Sequence, residues 1–166
     1  MRVVTAGDIH RVLRYDALID ALAEAFRSDI VAPDKIAHFI RQPSGADAKV
    51  MLMPAWSKSG ERFIGHKLVN LFPDNAKHNK PAVSGSYVLM SGDTGEPLAL
   101  IDGTAMTLWR TAAASALAAR YLAREDASHL LMLDTTSGAV FSVEKRDGIF
   151  TSTVSPSPLE KKQPRK

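Results

Sequence analysis

Arg62-Phe63-Ile64-Gly65-His66-Lys67-Leu68-Val69 decides the fold, because its apolar residues recur with a period of two. In an extended strand Gly65, Lys67 and Val69 share one face, and Ile64, His66 and Leu68 share the other. The same period extends outward on both sides. Lys35–Gln42, Val50–Trp56, Val83–Ser91 and Pro97–Ile101 are further strands, separated by Pro43-Ser44-Gly45, Ser57–Gly60, Pro73-Asp74-Asn75 and Gly92–Gly95. Short strands joined by short turns pair antiparallel, so an antiparallel sheet is expected over roughly residues 35–101.

Helices flank this block. Thr5 and Asp8 have the spacing of a capping box that opens a helix over 6–13. Asp16 is expected to cap a second helix over 16–30, in which Leu18, Ala21, Leu22, Ala25 and Phe26 recur at helical spacing. A long helix over 105–124 is rich in alanine, so another backbone can approach it closely. Ser128–Leu133 has the all-apolar pattern of a doubly covered strand. Gly138–Val143 and Gly148–Thr153 are candidates for a hairpin across Lys145-Arg146-Asp147. The class is α+β, with N-terminal helices, an antiparallel sheet and a long Ala-rich helix.

Composition narrows the function. The 166 residues are 45% hydrophobic and 23% charged, the profile of a globular domain rather than a disordered or collagen-like chain. No apolar run has the length of a membrane-spanning helix, and Asp8, His10 and Arg11 interrupt any signal-peptide core. The chain has no cysteine, which excludes disulfides, thiolate metal sites and a cysteine nucleophile, and a cytoplasmic location is expected. The net charge of +3 lies in the last sixteen residues, where Lys161, Lys162, Arg165 and Lys166 face only Glu160. The remainder holds 17 basic and 17 acidic side chains, so no nucleic-acid stripe is indicated. The ending TSTVSPSPLEKKQPRK (151–166) has the composition of a disordered tail. Five histidines at 10, 38, 66, 78 and 129 show no metal-ligand spacing, and neither a G-x-S-x-G elbow nor a P-loop occurs.

Three cations stand out. Lys67, alternating with apolar residues, either blunts a sheet edge or faces a polar cavity. Arg41 shares a face with Ala37 and Phe39, and a guanidinium in apolar surroundings calls for a carboxylate. Arg110 lies between Trp109 and Thr111 near the start of the long helix, where backbone N–H groups already favour an anion. Either all three are solvated singly, or they converge on a small carboxylic acid. In the second case Gly65 leaves room for the ligand beside Lys67.

Two longer stretches carry a resemblance. One is Gly65-His66-Lys67-Leu68-Val69-Asn70-Leu71-Phe72-Pro73-Asp74-Asn75. The other runs from Gly95-Glu96-Pro97-Leu98-Ala99-Leu100-Ile101-Asp102-Gly103 through Thr107 to Trp109-Arg110-Thr111-Ala112-Ala113-Ala114-Ser115 and on to Ala119. Together they resemble the ornithine cyclodeaminase/mu-crystallin family, with the likeness running from the N-terminus to about Leu133. The resemblance implies an α+β substrate and dimerisation domain followed by a Rossmann domain that holds NAD(P). It also implies a family reaction: an ammonia-lyase step from L-ornithine to L-proline, or NAD(P)H-linked amino- and imino-acid redox chemistry. By the same resemblance Arg41, Lys67 and Arg110 bind the substrate carboxylate, with Lys67 also a catalytic proton-transfer group. Ser84 and Thr111 fall where the family contacts the nucleotide.

The sequence departs from that pattern after Leu133. Asp134-Thr135-Thr136-Ser137-Gly138-Ala139 replaces the glycine-rich turn, and no Rossmann sheet follows. The expected organisation is therefore a family-like domain over 1–133, a divergent segment over 134–150 and the tail over 151–166. A truncated form unable to catalyse alone, with doubtful NAD(P) binding, is expected. The alternative is a non-catalytic module that binds a small carboxylate or dimerises. The expected partners are an amino or imino acid and a second copy of the chain, with no nucleic acid, membrane or metal.

Overall fold

Residues 62–69 run through the middle of a seven-stranded sheet. The computed structural model describes residues 1–43, 45–60, 62–133, 140–146 and 149–153, and the chain divides into two units, Met1–Tyr121 and Leu122–Lys166. The first unit opens with β1 (Arg2–Val4), α1 (Ala6–Val12), α2 (Tyr15–Arg27), β2 (Ile30–Val31) and β3 (Ile36–Ile40). It continues through β4 (Ala48–Ser57), β5 (Phe63–Leu71), a 3-10 turn at Pro73–His78, β6 (Val83–Ser91) and β7 (Pro97–Asp102) into α3 (Gly103–Leu122). The sheet order is β1-β7-β6-β5-β4-β2, and β3 pairs with β4 alongside β2.

The meander β4 to β7 is antiparallel throughout, as the alternation and the turns require. The strand β1 is an addition, pairing parallel to β7 with Val3 opposite Leu100. Three residues are too few to show a period, and a parallel partner is distant in sequence, so local pattern carries no trace of it.

The capping box at α1 forms: the Thr5 hydroxyl accepts from the Asp8 N–H, and the Asp8 carboxylate accepts from the Thr5 N–H at 3.0 Å. Asp16 does not cap α2. Arg14 holds the cap position without a side-chain bond, and Asp16 lies inside the first turn, paired with Arg14 at 3.3 Å. There its charge faces the positive end of the helix dipole. The helix ends at Arg27 rather than near residue 30, because Ile30 and Val31 pair with Ser57 and Trp56 of β4.

Cross-strand partners share a face, so the register sorts the sheet into two sides. One side carries Met53, Lys67, Tyr87 and Ile101 on a single rung. The helices lie on this side, since a side chain at Gly85 would point at the Gly103 backbone and one cavity is walled jointly by Ile9, Met106 and Ile101. The other side carries Ile36, Leu52, Leu68, Val88 and Leu100. Of the seven buried hydrophobic residues among the described residues, five are alanines, so packing here relies on close backbone approach rather than on large side chains.

The second unit is a separate antiparallel sheet, β8 (His129–Leu133), β9 (Val140–Arg146) and β10 (Ile149–Thr153), in the order β10-β9-β8. β9 and β10 pair antiparallel, but Lys145 and Arg146, expected in the turn, belong to β9, and residues 147–148 lie outside the described residues. Thr151–Thr153 of the expected tail belong to β10, where threonine has high strand preference. The rest of that tail, residues 154–166, lies outside the described residues. Among the described residues no helix is long and apolar enough to cross a membrane.

Candidate functional site

Five contacts fix the start of α3 over the sheet. The Asp102 carboxylate accepts from the Ala105 N–H at 2.8 Å and caps the helix. The Thr104 hydroxyl accepts from the Gly85 N–H at 3.0 Å. Gly103 packs against Gly85 and Ser86 so closely that a β-carbon would come within 2.8 Å of their backbones. One turn on, the Trp109 ring stacks on Tyr15 at 4.3 Å, and its indole N–H donates to His10 Nδ1 at 2.9 Å. These contacts tie the helix to both the sheet and the N-terminal helices, and they hold Arg110 near Lys67.

Lys67 is partly buried on the central strand, and burial together with the nearby Arg110 guanidinium pushes its amine below the ordinary lysine range. Among the described residues neither Lys67 nor Arg110 has a carboxylate or hydrogen-bond partner. Two cations thus repel one another on the helix-covered side of the sheet. That arrangement leaves two positive charges without an anion.

The third expected cation is elsewhere. Arg41 lies exposed just past β3, whose Ile40 pairs with Ala48 at the far end of the ladder. Six residues separate it from the Lys67 rung, roughly 20 Å at the rise of a strand, beyond the reach of both side chains. Lys35 occupies the better position. Continuing the β3–β4 register one step past Ile36 and Leu52 sets Lys35 opposite Met53, which itself pairs with Lys67. The sequence signal was parity: Lys35 and Arg41 share one face of the strand, and only the register tells which end meets Lys67.

Tyr87 fills the space directly over Gly65, and Gly65 lines the cavity beyond it. A β-carbon at Gly65 would collide with the Tyr87 hydroxyl. Tyr87 is directly opposite Lys67, and its ring reaches along the face over Gly65. Burial raises the phenol pKa, so it is neutral and a hydrogen-bond donor at physiological pH. Beyond it lies a cavity of about 500 Å³ lined by Ile30, Ala55, Phe63, Tyr87 and Leu89 among others, with Asp29 and three serines at its margin. The cations and an apolar recess therefore flank one tyrosine.

Replacing Lys67 by methionine tests this electrostatic arrangement. Folding lowers the Lys67 pKa, so the unfolded chain binds more protons between the folded and unfolded values, and stability rises with pH across that interval. Lys67→Met removes the penalty at neutral pH, and the unfolding midpoint should rise by up to about 1 kcal/mol equivalent, given the partial exposure. A fall in the midpoint by denaturant titration would show that Lys67 is stabilising and that the site is not an unfilled anion hole.

The resemblance implies a nicotinamide nucleotide, and the described residues do not form a cradle for one. A Rossmann unit needs a strand, a glycine-rich turn, a helix and a parallel strand. Here β8 is followed by the antiparallel β9, and the intervening residues 134–139 contain one glycine. Ser84 pairs with Asn70 on the side of the sheet opposite Lys67. Thr111 sits beside Arg110 on an exposed turn of α3, its hydroxyl donating to the Thr107 carbonyl at 2.6 Å. On this register Ser84 does not share the Lys67 face.

Comparison with known proteins agrees with the fold and with the resemblance. The model of the ornithine cyclodeaminase/mu-crystallin family matches residues 1–150. The Delta(1)-pyrroline-2-carboxylate reductase of Colwellia psychrerythraea is 37% identical over 147 residues, covering 87% of this chain and 45% of that protein. Among solved structures, the same enzyme from Thermococcus litoralis, in complex with NADH and L-proline, superposes with a TM-score of 0.66 at 29% identity, covering 77% of this chain and 40% of that one. The iminosuccinate reductase of Paracoccus denitrificans, in complex with NAD+, gives 0.69 at 28% identity, with coverage of 77% and 40%. The chain thus spans under half the length of the relatives it matches. It belongs to the ornithine cyclodeaminase/mu-crystallin family.

Proposed function

We propose that the chain is a substrate-carboxylate domain for a small cyclic amino or imino acid, of the kind handled in NAD(P)H-linked imino-acid reduction. Ornithine cyclisation is the less favoured family reaction, because the relatives named above are reductases. The observation that carries the reading is the pair of unpartnered cations, Lys67 and Arg110, beside an apolar recess. Arg110 supplies a fixed charge that holds one carboxylate oxygen, and Lys67 supplies the second. Lys35, on the Lys67 rung, replaces Arg41 as the third cation. The hydrocarbon ring of the ligand lies against Tyr87 and Leu89, and the neutral Tyr87 hydroxyl is the nearest proton donor on that face.

The second reading, a binding or dimerisation module without redox chemistry, is favoured by a specific observation. The strand that follows residues 134–139 runs antiparallel to β8, so the described residues offer no nucleotide cradle. The proposal accordingly assigns no hydride transfer to this chain, and proline should not form from L-ornithine with added NAD. Proline formation by the purified chain would overturn that part.

Titration with L-proline, followed by NMR, tests the site. Saturable binding in the millimolar range, about 4 kcal/mol, is expected. Prolinamide, which lacks the carboxylate charge, should not bind. Arg110→Gln should weaken proline binding by roughly tenfold or more, as the loss of a charged hydrogen bond implies. Equal binding of proline and prolinamide would sink the carboxylate assignment.

A further inference from the structure

The polar groups around the cavity beyond Tyr87 are nearly all engaged already. Its floor is a dip in the sheet: Ala55, Gly65 and Leu89 share one rung, so a methyl group and a bare α-carbon lie beside a leucine. Ile30 and Phe63 wall it. At the mouth the Ser28 hydroxyl donates to the Ala25 carbonyl at 2.7 Å, and the Ser57 hydroxyl accepts from the Phe63 N–H at 3.0 Å. Ser59 bonds to the Asp29 carboxylate, which joins the segment after α2 to the β4–β5 turn and fixes the rim. Register sends the Trp56 ring to the other side of the sheet.

Tyr87 is the exception. Its hydroxyl lies over Gly65, where a β-carbon would collide with it. Among the described residues this hydroxyl has no hydrogen-bond partner, and no side-chain oxygen or nitrogen is sealed off unpaired, so it opens into the cavity that Tyr87 and Gly65 both line. We propose that this cavity binds a small neutral molecule with a cyclic hydrocarbon body and one accepting oxygen, to which the Tyr87 hydroxyl donates.

Charge decides against an ionic ligand. Among the described residues no lysine, arginine or histidine lines the cavity, and the Asp29 carboxylate stands at its mouth. An anion would enter against repulsion and find no counter-charge inside. A cation is not called for either, because Asp29 already accepts from the Ser59 side chain and from main-chain N–H groups of the β4–β5 turn. What is unmet is one neutral donor above an apolar floor. Burial keeps the phenol protonated, so it donates at neutral pH. The volume, about 500 Å³ and open on one side, admits a six-membered ring over the Ala55–Gly65 dip. Neither Lys67 nor Arg110 lines the cavity, so this inference does not rest on the carboxylate reading.

The full chain, isotope-labelled at its methyl groups, is titrated with tetrahydropyran, a six-membered ring whose single oxygen only accepts. Saturable shifts are expected at the Ile30, Ala55 and Leu89 methyls, with a dissociation constant in the millimolar range. Tetrahydropyran-4-carboxylate, the same ring with a negative charge, should bind at least about tenfold more weakly, since its charge is desolvated without a partner. Tyr87→Phe keeps the ring and loses only the hydroxyl. It should leave the other methyl signals in place, which shows that the variant is folded, and weaken tetrahydropyran binding roughly three- to tenfold, the value of a neutral hydrogen bond. Shifts that do not saturate or that fall outside the cavity overturn the proposal. So does equal affinity of Tyr87→Phe and the unmodified chain, or equal binding of the ether and the carboxylate. Proline binding is read separately: its absence with tetrahydropyran still bound refutes the carboxylate reading and leaves this site standing.

Discussion

Gly103→Ala is expected to destabilise the first unit by about 2–3 kcal/mol, the upper range for overpacking a site that cannot relax. The added β-carbon would lie 2.8 Å from the Gly85 carbonyl carbon, 2.8 Å from the Ser86 nitrogen and 2.9 Å from its carbonyl carbon. All three are main-chain atoms of β6, paired on one side with β5 and on the other with β7. No rotamer change can relieve the contact, so α3 must lift from the sheet or the ladder must distort. Alanine's better helix propensity recovers less than about 1 kcal/mol. Lifting α3 also carries Arg110 away from Lys67, so proline affinity should fall with stability. Gly7→Ala is the control, because its β-carbon would meet nothing nearer than the Thr5 hydroxyl at 3.8 Å. Denaturant unfolding of both variants checks this. A Gly103→Ala midpoint close to that of the unmodified chain would mean that the approach of α3 to β6 is looser than these distances state.

That close approach shows what local sequence can and cannot carry. The alternation around Lys67 and the turn residues on either side were sufficient for β4 to β7, because each pairing there joins neighbours in the chain. The alanine run in α3 likewise announced tight packing, and the capping box at Thr5 marked the start of α1. What escaped was whatever depends on register. Lys35 and Arg41 are indistinguishable by parity, and a ladder is needed to show that Lys35 meets the Lys67 rung. The hydroxyl above Gly65 belongs to Tyr87, more than twenty positions away, so a glycine that looked like space for a ligand is space for a side chain. The helix-start signal at Arg110 was misleading: α3 begins at Gly103 and is capped by Asp102, so Arg110 lies two turns past the free N–H groups.

The side of the sheet away from the helices is the basis of the second large effect. There Leu52 and Leu68 are directly paired, flanked by Ile36, Val88 and Leu100. Ile36 is 53% exposed and Trp56, on the same side, 38%. An apolar face of this kind marks an association surface, and two copies can stack their sheets about 10 Å apart around a two-fold axis. A homodimer through this face is the expected result. Leu68→Glu would place a carboxylate at its centre with no cation on the same rung, where Ile36, Leu52, Ser86 and Asp102 stand. Burying that charge unpaired costs several kcal/mol, and each 1.4 kcal/mol weakens association about tenfold. The unmodified chain should therefore sediment as a dimer at micromolar concentration and Leu68→Glu as a monomer. Because the glutamate can stay in water on the separated sheet, the variant should keep its helix and strand signals in circular dichroism. Leu68→Gln, which removes the same apolar area without the charge, should fall between the two. Dimers of undiminished strength in Leu68→Glu would place the interface elsewhere, and an unmodified chain that sediments as a monomer would remove it altogether.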